Sequence, residues 1–310
     1  MTKSPLLVVG SVAYDDVETP HGHRPNQLGG AATYFSVAAS FFVRPHLVGV
    51  VGRDFHERDR ALLAERGVDL AGLETDATQD TFRWGGRYHE NMNDRTTLFT
   101  YLNAFQSFRP KVPPAIQHVP YVFLANIDPV LQHEVLGQMR KPHFVGLDTM
   151  NFWIGGKRDE LIAVLRQVDG LVINDEEGRL LTDRRSVLAM GKELQSLGPK
   201  TVIIKRGEYG AVLLCHDDVF TVPAVPLDQV LDPTGAGDTF AGGFMGWLAR
   251  TGDLSPENVR RAVVIGSVMA SFCVEGFGLE RLLAVRQDEV AARYERLLRY
   301  AHIPHAGELS

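Results

Sequence analysis

Residues 231–240 read Leu-Asp-Pro-Thr-Gly-Ala-Gly-Asp-Thr-Phe and follow an extended segment at 218–225. Gly235 and Gly237 lack a Cβ, so the backbone N–H groups of Gly235, Ala236 and Gly237 can turn inward. A helix that starts directly afterwards adds unpaired N–H groups and the positive end of its dipole. The stretch therefore predicts an anion hole that holds a phosphoryl group.

Asp238 stands at the rim of this predicted hole, before a helix of small residues that we expect from about 239 to 250. An ionised carboxylate beside a phosphate site can accept the proton of an attacking hydroxyl. The plainer alternative is that Asp238 caps the helix and the glycines only make a turn. The length of the ordered string favours phosphoryl transfer.

The string Asp-Pro-Thr-Gly-Ala-Gly-Asp-Thr-Phe resembles the C-terminal signature of the PfkB (ribokinase-like) family of carbohydrate and nucleoside kinases. The resemblance implies an α/β fold, a three-layer sandwich with a mainly parallel central sheet and a small β lid. It also implies ATP-dependent phosphorylation of a hydroxymethyl group of a sugar. Asp238 would be the general base, and residues 235–237 would stabilise the developing charge.

The middle of the chain supports the α/β prediction without the resemblance. Strand and helix patterns alternate there, and such alternation is typical of crossover units in a parallel sheet. The predicted strands are 121–125, 144–148 and 171–173, and the predicted helices are 130–139 and 157–168. No repeat or linker interrupts the pattern, so we expect one kinase domain, 1–310, with lid segments near 13–28 and 81–104.

The first strand, 6–9, precedes Asp15 at the sheet edge where open α/β sheets bind ligands. Gly29 and Gly30 open a helix and allow a ligand close to the backbone. A solvated turn carboxylate and a flexible helix start are the alternatives. The resemblance assigns all three residues to acceptor binding, but Tyr34 stands where the family usually has asparagine. The acceptor therefore stays open between a sugar and a nucleoside.

Asn174 and Glu177 follow the strand at 171–173 and fit the Asn-x-x-Glu motif that the family uses near the phosphates and Mg²⁺. Glu177 would act on Mg²⁺ indirectly, through water, because this cation usually keeps several waters. A helix cap with an acidic first turn is the alternative. Lys205 and Gly207 match a family turn beside the nucleotide phosphates, although alone they indicate only a hairpin turn.

Three further positions depend on the resemblance alone. Gly276 lies in a loop that lines the nucleotide base or a monovalent-cation site in the family. Asp232 and Thr234 match positions that some members use for K⁺. Glu275 is unusual at that loop, so K⁺ stays an open expectation beside ATP and Mg²⁺.

Residues 81–104 alternate aromatic and polar side chains on two arms, which predicts a hairpin with a half-buried face on each arm. The aromatic face could pack on a partner lid or stack on a substrate ring. Because family lids are often shared, we expect a homodimer through the lid. Residues 21–28 are polar, follow Pro20 and contain Pro25, which predicts a loop.

Composition bounds the function further. The 310 residues carry a net charge of −6, which argues against nucleic acid as a main partner. The His-Arg clusters at 21–24 and 83–95 are interpreted as loop surface. Cys215 and Cys273 lie in apolar runs and are expected to be buried thiols. No apolar run is long enough for a membrane span and no signal peptide is recognised, so we expect a cytoplasmic protein. We expect the tail from 303 to fray.

Two other classes of protein fit the sequence less well. A P-loop or nicotinamide enzyme is disfavoured, because the chain has no Gly-x4-Gly-Lys-Ser/Thr string and no Gly-x-Gly-x-x-Gly after the first strand. A non-catalytic sugar or nucleotide sensor of the same fold stays an alternative. An intact Asp238 argues against it, since a sensor needs no base.

Overall fold

The computed structural model describes residues 4–302, and its largest feature is a nine-stranded sheet. With strands numbered in chain order, the sheet contains β1 (Leu6–Val9), β4 (Pro45–Gly52), β5 (Asp69–Asp76), β8 (Tyr121–Leu124), β9 (Phe144–Asp148), β10 (Gly170–Asn174), β11 (Thr201–Lys205), β12 (Ala211–Cys215) and β13 (Asp218–Val222). Their spatial order is β13-β12-β11-β10-β9-β8-β1-β4-β5. All pairs from β5 to β11 are parallel, whereas β12 is antiparallel to both of its neighbours. The predicted mainly parallel sheet is confirmed.

Helices cover both faces of this sheet. They are α1 (Ala31–Ala39), α2 (Glu57–Glu65), α3 (Pro129–Gln138), α4 (Asn151–Gly156), α5 (Arg158–Leu165), α6 (Asp175–Thr182), α7 (Val187–Ser196), α8 (Ala236–Thr251), α9 (Pro256–Cys273), α10 (Glu280–Ala284) and α11 (Gln287–Tyr300). Strand β1 shows the layering, because Leu6 and Val8 join the core under α1, α8 and α9. Leu7 and Val9 join the core under α3, α5 and α7. This alternation confirms the three-layer sandwich.

The helix of small residues, α8, packs unusually close to its neighbours. A Cβ on Gly242 would lie 2.3 Å from the Phe35 carbonyl oxygen of α1, and a Cβ on Gly243 would lie 2.9 Å from the Met269 side chain of α9. Larger residues would push these helices apart. Close packing therefore fixes the start of α8 against the core.

A second, four-stranded sheet forms the predicted lid. It contains β2 (Ala13–Thr19), β3 (Gly22–Gly29), β6 (Phe82–Tyr88) and β7 (Arg95–Tyr101), in the order β3-β2-β6-β7. Strands β6 and β7 pair antiparallel, so the predicted hairpin is confirmed. The prediction of a half-buried face on both arms is wrong for β7, most of which is exposed because it is an edge strand with nothing packed on its outer side in the described residues.

The predicted loop at 21–28 is also wrong, because most of it belongs to β3, which pairs antiparallel with β2. Polar side chains suit β3, since it is an exposed edge of the lid sheet. Pro25 lies at the point where the register shifts, so its missing N–H costs no ladder bond. Polarity and proline indicated a loop where the chain forms an edge strand.

Several helix boundaries differ from the prediction. Helix α8 begins at Ala236 rather than at about Thr239, the predicted helix 157–168 is α5 preceded by the short α4, and α6 and α7 were not predicted. Cys215 and Cys273 are buried and free, as expected. Among residues 4–302 no helix has the length and apolarity needed to cross a membrane. The tail from 303 lies outside the described residues.

Candidate active site

The carboxyl ends of three adjacent strands define one wall of a cleft. Asp148 ends β9, Asn174 ends β10 and Lys205 ends β11, and Asn174 and Lys205 are register partners. Parallel strands bring their carboxyl ends to the same sheet edge, so these polar side chains meet there. The cleft lies at the edge where the sequence predicted ligand binding.

Asn174 and Glu177 form a reciprocal capping box at the start of α6. The Glu177 N–H donates to Asn174 Oδ1 at 2.8 Å, and the Asn174 N–H donates to Glu177 Oε2 at 3.0 Å. The capping interpretation of this pair is therefore correct. Burial raises the pKa of Glu177 to about 7, helped by the nearby Asp148 charge and opposed by Lys205. The second Glu177 carboxylate oxygen has no hydrogen-bond partner among the described residues.

Lys205 links this wall to the start of α8. Its Nζ lies 3.8 Å from Asp148 Oδ2, and a Cβ on Gly237 would lie 2.6 Å from the same Nζ. Burial lowers the pKa of Lys205, but the Asp148, Glu177 and Asp238 charges outweigh burial and raise it overall. A charged ammonium therefore lies beside the Gly237 backbone, where any side chain would displace it.

The first turn of α8 has the backbone geometry of an anion site. Gly235 is the N-cap in the left-handed region, with φ of 74°. The N–H of Ala236 donates to the Pro233 carbonyl at 3.2 Å, whereas those of Gly235 and Gly237 have no acceptor in the part of the chain that the structure describes. Gly235 also rests on the buried Tyr34 ring, whose atoms would lie 2.4 Å from a Cβ at that position.

Asp238 is the third residue of α8 and is half-buried at the cleft. Burial is the main reason that its pKa is raised to about 7; the Asp148 charge adds to the rise, and the Lys205 and Arg95 charges oppose it. A carboxyl group with that pKa exchanges protons near neutral pH, which suits a general base.

Asp15 and the Gly29–Gly30 pair lie together on the opposite side of the cleft. A Cβ on Gly29 would lie 2.0 Å from Asp15 Oδ2, and the N–H of Gly30 bonds the Asp15 carboxylate. Gly30 is the N-cap of α1 with φ of 92°. Burial raises the pKa of Asp15 to about 7, and the charges of Asp232 and Asp238 contribute to the rise. The residues that the sequence predicted for the acceptor thus form one group, and Asp15 in it is close enough to Asp238 for that charge to raise its pKa.

Asp232 and Thr234 lie beneath the α8 turn rather than in the open cleft. The fully buried Asp232 accepts N–H bonds from Thr234 at 2.8 Å and from Gly278 at 2.9 Å. These bonds tie the α8 turn to the loop that contains Gly276. Gly276 itself packs against Arg281, which a Cβ would approach at 2.8 Å. The structure therefore places Gly276 near Arg281, outside the group formed around Asp238.

Gly207 has φ of 53°, and a Cβ there would lie 3.0 Å from Asn93 Oδ1 at the tip of the β6–β7 hairpin. The same hairpin also contacts the α8 turn, because the Thr234 hydroxyl donates to the Tyr88 hydroxyl at 3.3 Å.

The sequence did not identify Tyr88 and Arg95 as residues of the cleft, and Arg95 was interpreted as loop surface. Arg95 is the first residue of β7, opposite Tyr88, and its charge acts on the cleft carboxylates. The pairing of Tyr88 with Arg95 could have been found only by assigning the hairpin register.

The cleft combines a glycine-rich helix start, a lysine and a carboxyl group of raised pKa, and a lid sheet lies over it. This combination is typical of a phosphotransferase of the ribokinase-like class. The comparison with protein families agrees. The family model described as pfkB family carbohydrate kinase matches residues 6–285, so the chain belongs to the pfkB family. The protein is a carbohydrate or nucleoside kinase of this ATP-using family.

Curated relatives match over most of their length. A cytidine kinase of Thermococcus kodakarensis is 27% identical over 252 residues, which cover 79% of this chain and 88% of the relative. A nucleoside kinase of Methanothermobacter thermautotrophicus is 28% identical over 295 residues, covering 89% of this chain and 91% of the relative.

Solved structures share the fold. The Methanocaldococcus jannaschii nucleoside kinase has a TM-score of 0.77 at 20% identity, covering 94% of this chain and 98% of that one. An Escherichia coli protein assigned as ribokinase II, solved with ATP and Mg²⁺, has a TM-score of 0.77 at 19% identity, covering 94% and 99%. The Burkholderia thailandensis nucleoside kinase, solved with inosine, has a TM-score of 0.75 at 19% identity, covering 95% and 99%. The ribokinase-like fold predicted from the sequence is confirmed.

Proposed function

We propose that the protein transfers the γ-phosphoryl group of ATP to a hydroxymethyl group of a sugar, with Asp238 as the general base. The observation that carries this proposal is the position of Asp238, which lies in the first turn of α8 with a pKa raised to about 7 by burial. From there its carboxylate takes the proton of the acceptor hydroxyl as the oxygen attacks phosphorus.

The start of α8 stabilises the charge that develops on the transferred group. Gly235, Ala236 and Gly237 form the proposed anion hole, in which the N–H groups of Gly235 and Gly237 have no acceptor within the described residues, while that of Ala236 already donates to Pro233. Lys205 adds a positive charge beside Gly237. Fixed donors aimed at developing charge need no reorganisation during the reaction, which makes them effective.

Asp15, Gly29 and Gly30 bind the acceptor in this proposal. An ionised carboxylate accepts hydrogen bonds from two hydroxyl groups, and the two glycines leave the backbone open to a ligand. The Asp15 charge raises the pKa of the buried Tyr34 hydroxyl after the larger effect of burial, so Tyr34 lies close to the same side of the cleft. A polyol that contacts Asp15 presents its hydroxymethyl group toward Asp238.

The phosphate side of the cleft suits a nucleotide with Mg²⁺. Asn174, Lys205, Gly207, Thr234 and Gly276 are assigned to the nucleotide, the last two by family resemblance. Glu177 would hold Mg²⁺ through water, which fits its free carboxylate oxygen at the cleft. No cluster of three or more metal-ligating side chains occurs in residues 4–302, so the nucleotide phosphates would supply the other ligands. When bound, Mg²⁺ neutralises charge on the β and γ phosphates.

K⁺ at Asp232 is a weaker proposal. Both carboxylate oxygens already accept N–H bonds, so a monovalent cation would have to use their remaining lone pairs. This arrangement lets Asp232 hold the α8 turn without an ion. We propose that activity depends only modestly on K⁺, which a comparison of rates in KCl and choline chloride measures.

A nucleoside is the second candidate acceptor, and two observations favour it. Trp84 of β6 is the register partner of Asp15 in β2, so both side chains are on the same face of the lid sheet, and an aromatic ring there can stack on a base. The curated relatives described above include a cytidine kinase and a nucleoside kinase. The alternative from a different class of protein is a sensor that binds a sugar or a nucleotide without catalysing a reaction.

The test is ADP release with Mg·ATP against a panel of sugars and nucleosides. Asp238→Asn is run beside wild type, and Asp217→Asn, an exposed carboxylate in the β12–β13 turn, is the matched control. We expect one acceptor class to turn over, a loss of about 10²- to 10⁴-fold in kcat for Asp238→Asn, and no loss for Asp217→Asn. Ligand binding without turnover in wild type would support the sensor, and full activity in Asp238→Asn would remove Asp238 as the base.

We also propose that the chain works as one kinase domain and forms a homodimer through the lid sheet. The exposed strand β7 and the apolar side chains around it support the dimer. An exposed edge strand with apolar residues is a ready surface for association.

A further inference from the structure

The hairpin formed by β2 and β3 rests on a loop of its own chain, residues 275–278, which follows α9. Phe277 in this loop is 5% exposed, and the guanidinium carbon of Arg24 in β3 lies 4.8 Å from the centre of its ring. A Cβ on Gly22, at the turn of the hairpin, would lie 3.6 Å from the same ring. The outer end of the β2–β3 hairpin therefore packs directly on Phe277.

A second contact lies farther along β3, next to the acceptor side of the cleft. Gln27 is the register partner of Asp15 in β2. Arg24 is the register partner of Val17, two residues farther along β2, so Arg24 and Gln27 project to the face of the lid sheet that carries Asp15. Gln27 Oε1 lies so close to Gly278 that a Cβ there would collide with it. This face of the lid thus contacts the loop at two points.

The same loop is bonded to the residue that holds the α8 turn. The Gly278 N–H donates to Asp232 Oδ2 at 2.9 Å, and the Thr234 N–H donates to Asp232 Oδ1 at 2.8 Å. The Leu231 N–H also donates to the carbonyl of Val274, at 2.8 Å. Because Asp232 is fully buried, a lost N–H bond would leave a carboxylate oxygen without a partner, which is costly. A shift of the loop therefore shifts the turn from which α8 begins.

The C-terminal helix α11 holds the loop from its other side. Arg293 of α11 donates to Glu275 Oε1 and to Ser271 Oγ, both at 3.0 Å, and its guanidinium carbon lies 3.6 Å from the centre of the Phe272 ring. Its side chain is 10% exposed, so salt screens this ion pair little. The loop is held between α11 and the β2–β3 hairpin.

We propose that Arg24 and Gln27 are positioning residues that hold the loop and, through Asp232, the α8 turn, and so couple acceptor binding at Asp15 to nucleotide binding at α8. This inference rests on the kinase function proposed above. An acceptor that orders β2 also orders its partner β3, and β3 then fixes the loop that positions the α8 turn. A nucleotide at the α8 turn orders the same contacts in the other direction, because coupling between two binding sites is reciprocal.

Hydrogen–deuterium exchange of the whole protein, with Mg·ADP as the probe, tests this coupling. Exchange reports how often backbone hydrogen bonds open locally. In wild type, we expect saturating Mg·ADP to slow exchange of the β2–β3 amides by about fivefold or more, although these strands lie outside the proposed nucleotide site. In Arg24→Ala/Gln27→Ala the slowing should fall below about twofold, while the affinity for Mg·ADP alone stays within about threefold of wild type.

His23→Ala is the matched control. His23 precedes Arg24 in β3, is the register partner of Glu18 on the opposite face of the lid sheet and pairs with Asp16 there. It should show the same slowing as wild type. Arg24→Lys keeps a cation above the Phe277 ring, so it should keep most of the slowing that Arg24→Ala loses.

Kinetics with whichever of ribose, fructose and cytidine turns over add a readout that a merely structural role would not move. In wild type, the acceptor KM should fall by about fivefold or more between low and saturating Mg·ATP. In Arg24→Ala/Gln27→Ala it should hardly depend on Mg·ATP. The kcat at saturation of both substrates should change less, because both bound substrates then order the α8 turn themselves.

Three outcomes would overturn the inference while the kinase proposal stands. They are wild-type Mg·ADP binding without any slowing in β2–β3, undiminished slowing in Arg24→Ala/Gln27→Ala, and an equal loss in His23→Ala. If wild type binds no Mg·ADP, the proposed function itself fails, and the inference falls with it. Titration of wild type with Mg·ADP distinguishes the two failures.

Discussion

Asp238 lies in the first turn of α8, at the helix start proposed to bind the phosphoryl group, and burial and the Asp148 charge raise its pKa to about 7. The helix dipole and Lys205 favour its ionised form, whereas burial and neighbouring carboxylates disfavour it. Because these influences oppose one another, the group can both hold and release a proton near neutral pH. That balance is the chemical basis for the proposed base.

The pH dependence of the rate follows from this pKa. A base acts only when it is ionised, so we expect kcat/KM to fall as the pH drops below about 7 and to level off above it. Asp15 and Glu177, whose pKa values burial also raises to about 7, would steepen the acid limb. A profile from pH 5 to 9 with saturating Mg·ATP measures it. A rate that is flat between pH 5 and 7 would contradict the assignment.

Stability should respond in the opposite direction. Burial raises the pKa of Asp238 in the folded state above its ordinary value, so the folded protein binds the proton more tightly than the unfolded chain. The favourable effect is complete below pH 4 and is lost as the pH rises toward about 7. We therefore expect Asp238→Asn to raise the free energy of unfolding of the ligand-free protein at pH 8, by on the order of 2 kcal/mol, and much less at pH 4.

Urea unfolding at both pH values measures this difference. Asp217→Asn serves as the control, because that exposed carboxylate should show the same small effect at both. Equal stability of wild type and Asp238→Asn at pH 8 would mean that the ionised carboxylate is not strained in the folded state. A gain in stability on losing the proposed base would be the usual conflict between activity and stability at an active site.

Sequence alone identified most of the residues that the structure brings to the cleft. Asp15, Glu177, Lys205 and Asp238 stand out because each follows a recognisable strand or a glycine-rich turn. Arg95 does not, because its place depends on the hairpin register and on the fold of the lid over the cleft. A local pattern cannot separate such a residue from other surface arginines.

At the scale of the element, the start of α8 depends on one glycine. Gly235 adopts a left-handed conformation and stacks on the buried Tyr34 ring, 2.4 Å from the position of an added Cβ. Tyr34 is 1% exposed and has no room to withdraw. A side chain at 235 must therefore displace the first turn of the helix.

We expect Gly235→Ala to lower the melting temperature and to reduce kcat at least tenfold, because both the strained backbone and the collision with Tyr34 act on the proposed anion hole. The matched control is Gly137→Ala in α3, where a Cβ would have no atom within 4 Å. That variant should be neutral or more stable by up to about 1 kcal/mol, since alanine favours a helix. Calorimetric melting and steady-state rates check both, and wild-type behaviour of Gly235→Ala would contradict the close packing.

Elements were predicted well where hydrophobic periodicity is strong and poorly where it is weak. The buried strands of the large sheet are continuous apolar runs in the sequence. This pattern is typical of parallel strands that are covered on both faces. Strand β3 is polar because an edge strand exposes its side chains, so it resembles a loop. The true start of α8 depends on Gly235 and its packing on Tyr34, a contact 201 positions away that no local pattern contains.

At the scale of the molecule, the large sheet is covered on both faces but the lid sheet is not. Its strand β7 and the residue that follows expose Leu98, Tyr101 and Leu102 by 45%, 57% and 43%. An exposed edge strand that carries apolar side chains leaves backbone N–H and C=O groups unpaired and apolar area in water, so it is a surface for association. A second copy of the same lid is the proposed cover, which no single-chain sequence pattern can establish.

We expect wild type to be a dimer at micromolar concentration by light scattering after gel filtration, and Leu98→Asp/Tyr101→Asp to be a monomer. Both side chains are exposed in the chain itself, so the melting of the monomer should change little beyond the lost association. Leu188→Asp, at a site 49% exposed on α7, is the control and should stay dimeric. If the lid is held over the cleft by its partner, the monomer should also lose kcat. A monomeric wild type with full activity would contradict the proposed dimer and show that each chain works alone.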